Sequence, residues 1–212
     1  MCFILTNNLE IMKNYALKLL IFLFAVAPMV AQPVSDNAVI PVSVTLNSIL
    51  RLNVVKGGNI AFKVNTIGQF TSGIANADVY DTRFTVASSV DFTVSLGAQD
   101  ATFIGTDIVA TGTNTMPIDN VGYLLSNNGT GVEGTAWSLG TALVALTNSQ
   151  AVVVNSIVGA GAGSATKNDF TVNWELATPA LIVLNTTKKT LLAQSLPANH
   201  YTTNVFLVLA AK

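Results

Sequence analysis

The sequence predicts an all-β protein built as a single antiparallel sandwich or barrel. Three observations carry that expectation. Apolar and polar residues alternate strictly over long windows, turn-forming clusters separate those windows, and no window after residue 32 shows a 3.6-residue apolar stripe. Half of the 212 residues are hydrophobic and only 10% are charged. No Pro-rich or charged linker divides the chain, so a single folded domain is expected.

Residues 1–11 hold Glu10 and no functional feature, and read as an upstream extension ahead of Met12. Residues 12–31 (MKNYALKLLIFLFAVAPMVA) place Lys13 and Lys18 before the apolar run Leu19–Val26 and end on the small residue Ala31. That is the three-part pattern of a secretory signal peptide, with cleavage expected after Ala31. The run falls short of the roughly 20 residues of a spanning helix, so no stable membrane insertion is expected. The one cysteine, Cys2, precedes the cleavage point, so packing rather than disulfides must hold the exported chain.

Next comes AVIPVSVTL, in which Ala38, Ile40, Val42, Val44 and Leu46 are apolar and two apart. This is the signature of a strand with one buried face. Residues 32–48 form this leading segment, and residues 49–212 the β domain. Leu50–Val55 and Ile60–Val64 read as strands joined by Lys56-Gly57-Gly58-Asn59, which supplies hairpin-turn residues. Phe84, Val86, Ser88, Val90, Phe92, Val94 and Leu96 alternate with Thr85, Ala87, Ser89, Asp91, Thr93 and Ser95. Phe170, Val172, Trp174 and Leu176 alternate in the same way. Asn120–Ser126, Ala142–Thr147, Ala151–Ile157, Thr190–Ser195 and Tyr201–Ala210 complete the expected strands. Asn127–Gly131 is a turn, and Gly159–Ser164 (GAGAGS) a flexible loop without the P-loop arrangement.

From residue 32 onward, eight Lys/Arg face ten Asp/Glu, a net of −2. No basic patch exists for nucleic acid or anionic lipid. So sparse a charge suits a surface that stays in contact with neighbours. His200 is the only histidine and sits in a polar turn, a poor basis for a catalytic triad. With no cysteine after residue 2, a zinc site is not expected. Asp78 and Asp81 frame ADVYDT, but the spacing is not that of a calcium loop. Asp100, Asp107 and Asp119 are scattered and suggest no carboxylate pair. Trp137 is the one candidate sugar-stacking residue, with core packing the stronger expectation. Asn128-Gly129-Thr130 and Asn185-Thr186-Thr187 match the glycosylation triplet and are expected on the surface. No catalytic residue, cofactor or metal follows from these patterns.

The two ends together carry a resemblance. LPANHYTTNVFLVLA at Leu196–Ala210 resembles the final strand of bacterial fimbrial subunits of the spore-coat-U-like, archaic chaperone–usher type. VSVTLNSILRLNVV, a Gly-rich turn and Ile60-Ala61-Phe62 resemble that family's extension, first strand and following strand. The cysteine that many such subunits carry is absent from Ile49-Leu50-Arg51-Leu52. The resemblance implies an Ig-like sandwich lacking one strand, completed by a neighbour's N-terminal strand. Ala38, Ile40, Val42, Val44 and Leu46 would then be the donor-strand face. The implied function is an exported structural subunit polymerising with identical subunits into a filament on the surface of a Gram-negative bacterium. A periplasmic chaperone and an outer-membrane assembly protein would be its partners. Two other readings stand beside it: a self-contained secreted sandwich binding a glycan or surface ligand, and a small outer-membrane β-barrel. An enzyme is the least supported class.

Overall fold

The computed structural model describes residues 12–15, 18, 41–107 and 114–212. The chain divides into two units, Met1–Thr45 and Leu46–Lys212. In the first, residues 12–15 and 18 are helical, and residues 41–45 are exposed without regular structure. Among the described residues, no helix is long and apolar enough to cross a membrane. The apolar run 19–26, the expected cleavage point, Ala38 and Ile40 lie outside the described residues.

The second unit contains, in chain order, β1 (Leu50–Lys56), α1 (Ile67–Ser72), β2 (Asp81–Ser88), β3 (Phe92–Ala98), β4 (Thr102–Gly105), β5 (Thr115–Pro117) and β6 (Val121–Asn127). There follow β7 (Trp137–Leu139), β8 (Val144–Ala145), β9 (Ala151–Ser156), β10 (Asp169–Leu176), α2 (Pro179–Leu184), α3 (Leu191–Gln194), β11 (Tyr201–Thr202) and β12 (Val205–Ala211). Short 3-10 turns at Asp78–Tyr80 and Ile118–Asn120 lead into β2 and β6. The strands form three antiparallel sheets: β1-β2-β10-β6-β8, β12-β3-β9-β7, and the small β11-β4-β5.

This corrects the expected fold. The protein is a mixed assembly of helices and three sheets, not a single two-sheet Ig-like sandwich. The fimbrial resemblance fails on the stretches that carried it. Tyr201–Ala210 is not one strand: β11 pairs with β4, while β12 pairs with β3 in another sheet. Ile60–Val64, the expected second strand with its Phe, forms no strand. A filament subunit completed by donor-strand addition is therefore set aside. So are the self-contained β-sandwich module and the small barrel, which both needed an all-β chain.

The helices arise where caps, not stripes, are encoded. Thr66 and Gln69 form a capping box: the Gln69 N–H donates to Thr66 Oγ1 at 3.2 Å, and the Thr66 N–H to Gln69 Oε1 at 3.1 Å. Thr178 caps α2 with Pro179 in the first turn, and Thr190 caps α3 where a strand was expected. Each of these three helices has four to six residues and buries at most one side chain, Leu181 or Leu191. So short a helix shows no measurable 3.6-residue period.

Period 2 worked where it met a buried face. In β10, Phe170, Val172, Trp174 and Leu176 are all buried as expected. The thirteen-residue alternation from Phe84 is real, but it is divided between two sheets. The strand, not the alternation, ends at Ser88, whose hydroxyl accepts from the Val90 N–H at 3.1 Å. Phe84 and Val86 then enter the core from β2, and Phe92, Val94 and Leu96 from β3. Both faces reach one core, so the alternation continues across the crossover. Arg83 ties β2 to β10, its Nε donating to Asp169 Oδ1 at 2.9 Å. That carboxylate holds the Arg83 guanidinium above its ordinary pKa, first through hydrogen bonding and then through charge.

Candidate functional site: an apolar cleft between two strand edges

The two larger sheets share a core that is filled differently at its two flanks. At the β7 edge, Trp137 is fully buried and meets Phe170 edge-on, ring centroids 5.0 Å apart at 77°. Gly131 makes room for it, since a Cβ there would collide with the indole. Trp137 is thus core, not a sugar platform.

At the other flank, β1 and β12 are the outer strands of their sheets and no ladder joins them. Between them lies a cleft of about 650 Å³. Leu52 and Val54 of β1 form one wall, and Val205, Phe206 and Leu207 of β12 the other. Trp174, Val121 and Leu146 line its interior, with Ile60, Phe62 and Phe103 around them. Phe62 is fixed by stacking on Tyr80, ring centroids 4.5 Å apart.

Polar groups inside the cleft are already matched. The Trp174 indole N–H donates to Thr82 Oγ1 at 3.0 Å, and that hydroxyl donates to the Gly57 carbonyl at 2.7 Å. Gly57 adopts φ 70°, and a Cβ there would collide with the Asp81 carbonyl. The turn after β1 can sit this close to β2 only with glycine. Asn59, Thr203 and Asn204 supply the remaining polar lining. Among the described residues lining the cleft, none is ionisable.

No family model and no curated protein matches the chain.

The residues singled out in the sequence lie elsewhere. His200 is exposed; its backbone N–H donates to Asn199 Oδ1 at 2.7 Å and its carbonyl accepts from Thr106. The Asp81 carboxylate accepts from Asn76 at 2.8 Å and Asn173 at 2.9 Å. Asp119 is buried, with Oδ2 accepting from the Thr186 N–H at 2.7 Å. Among the described residues, no three His, Cys, Asp or Glu side chains gather as a metal site would require. Asn185 is fully buried, so this asparagine is not on the surface as expected, although Thr186 beside it is, whereas Asn128 is exposed. The GAGAGS loop is tied at several points. Gly159 and Gly161 donate their N–H groups to Asp91, and Lys167 Nζ donates to the Ala160 and Ala162 carbonyls at 2.6 and 2.7 Å. Those two glycine N–H groups hold the Asp91 carboxyl below the usual carboxylate range. Val42, Val44 and Leu46 are 83%, 79% and 90% exposed and belong to no strand.

Leu52, Val54, Trp174 and Leu207 each lay in an expected strand. Their convergence around an open space depends on how sheets stack, which alternation does not encode.

Proposed function

We propose that the chain is an exported, non-catalytic binding protein that holds an aliphatic chain in the cleft between β1 and β12. The observation that carries this reading is the lining, which is mainly aliphatic and aromatic side chains and, among the described residues, contains no ionisable group. The lining itself holds no carboxylate, imidazole, amine or thiol to serve as a general acid or base, and the Asp100 carboxylate behind Thr203 is engaged by that residue's hydroxyl at 3.0 Å. The Thr82 hydroxyl has no adjacent base to activate it, and it is engaged by Trp174 and Gly57. What the cleft offers is apolar surface within the size range of small-molecule sites, roughly 300–1,000 Å³. Asn59 gives an amphipathic guest a place for its polar end, while Thr203 and Asn204 are held by Asp100 and Gln99. Export rests on the signal-peptide pattern of residues 12–31.

Titration of the purified protein with dodecanoate, followed by tryptophan emission, tests the reading, because Trp174 lines the cleft. Saturable binding is expected. Val54 is 43% exposed, so Val54→Asp should leave the fold intact. It should weaken binding about tenfold or more by placing a charge against the chain. An absence of saturable binding, or equal binding by the variant, contradicts the proposal.

A further inference from the structure

We infer that residues 58–64 are a strap that gates the cleft, moving as one piece between fixed ends at Gly57 and Gln69, an inference that rests on reading the cleft as a binding site. Side chains alternate along the strap. Ile60, Phe62 and Val64 are half-buried against the core, while Ala61, Lys63 and Asn65 are exposed. That pattern suits a strand. Yet among the described residues, no backbone N–H or C=O of residues 58–64 meets a hydrogen-bond partner. The β1–β2 ladder ends at Lys56↔Arg83, and the chain then runs to Asn65 with no strand beside it. Only side-chain packing holds it down. A segment held in this way opens at far lower free energy than a strand inside a sheet.

Both ends are tied. The Gly57 carbonyl accepts from the Thr82 hydroxyl at 2.7 Å, and Lys56 Nζ donates to the Asp78 carbonyl at 2.6 Å. At the far end, Gln69 Oε1 accepts from the N–H groups of Asn65 at 2.7 Å and Thr66 at 3.1 Å. Gly58 supplies the hinge, because a Cβ there would meet nothing within 4 Å and the backbone has room to turn. Phe62 supplies the latch, its ring stacked on Tyr80 at 28° with centroids 4.5 Å apart. Tyr80 lies in the 3-10 turn that Lys56 pins, so the latch closes on fixed ground.

The strap's place gives its opening a consequence. Gly58, Asn59, Ile60 and Phe62 all line the cleft. The deepest lining residues, Val121, Leu146 and Trp174, are no more than 7% exposed. Surface so nearly covered is open to an aliphatic chain only when part of the wall yields. β1 is held along its length by β2, and β12 by β3. The strap is the part of the wall without a ladder.

Methyl relaxation dispersion on the intact chain, paired with stopped-flow dodecanoate binding, tests the gate. The Ile60 and Val64 methyls should exchange at one common rate, with those of Leu125 and Val154 flat. The observed binding rate should level off at high dodecanoate, where opening limits it. Tyr80→Leu removes the latch without altering the lining and should raise the open population roughly threefold to tenfold. Gln69→Ala frees the far end and should raise it as well, whereas Gln69→Glu keeps the acceptor oxygen and should match the native chain. Unequal rates at Ile60 and Val64, or an open population indifferent to both Tyr80→Leu and Gln69→Ala, overturn the inference. Saturable dodecanoate binding with flat Ile60 and Val64 methyls strikes the gate alone. Concerted exchange with no dodecanoate binding strikes the reading of the cleft, and the gate with it.

Discussion

The two tryptophans mark two ways of finishing one core. Trp137 fills the flank near β7, packed on Phe170 and accommodated by Gly131. Trp174 sits on the opposite flank with 6% of its surface exposed, and the space beside it stays open between β1 and β12. Both rings come from strands that reach the core, β7 and β10. The difference lies in what stands opposite them. A side chain closes one flank, and two unpaired strand edges leave the other open. The filled flank should therefore carry stability, and the open flank should be free to bind.

Substitutions that unbalance this comparison should differ in size. Trp137→Ala leaves a large buried cavity and should cost about 3–5 kcal/mol in a denaturant melt. Gly131→Ala forces a methyl group against the same ring, and overpacking of this kind costs about 1–3 kcal/mol. On the open flank, Thr82→Val deprives the Trp174 N–H of its acceptor and the Gly57 carbonyl of its donor, and should cost about 1–2 kcal/mol. A cost at Thr82 exceeding that at Trp137 would reverse the assignment of the two flanks.

Smaller effects sharpen the contrast. Asp91 lies on neither flank, yet its carboxylate holds Gly159 and Gly161. Its folded pKa is depressed, so its stabilising contribution is complete above the unfolded value of about 3.9. That contribution is lost as the pH falls through the folded value. Acid melts of Asp91→Asn should accordingly show a shallower loss of stability below about pH 4 than the native chain. Val54→Asp, on the exposed rim of the cleft, should change stability by no more than about 0.5 kcal/mol while it weakens binding.

Much of the strand content was legible because burial leaves a period-2 trace, most clearly in β2. The topology was less legible. From Phe84 to Leu96 the alternation never breaks, although the chain changes sheets at Ser88–Val90. At the C-terminus, Thr203 and Asn204 continue the polar-apolar rhythm while the backbone passes from β11 to β12. The helices leave no stripe in the sequence, because Thr66, Thr178 and Thr190 encode them only through caps, over stretches too short for a 3.6-residue period. Thr190–Ser195, an expected strand, is a helix in which Leu191 alone is buried, too little to leave a helical period. The walls of the cleft were legible singly, as apolar strand residues. The open space was not, because a pattern records which side chains are buried and not what they fail to fill. Trp174 is marked as core by its alternating strand and Trp137 is not, yet both are buried, and only their surroundings show which flank stays open.

The most direct test is a methyl-resolved NMR titration of the protein with dodecanoate. Saturable shifts at the methyls of Leu52, Val54, Val205 and Leu207, with those of Leu125 and Val154 unmoved, are the predicted result. Shifts absent at saturating ligand, or spread evenly over both flanks, would contradict the claim that the open flank is the binding site.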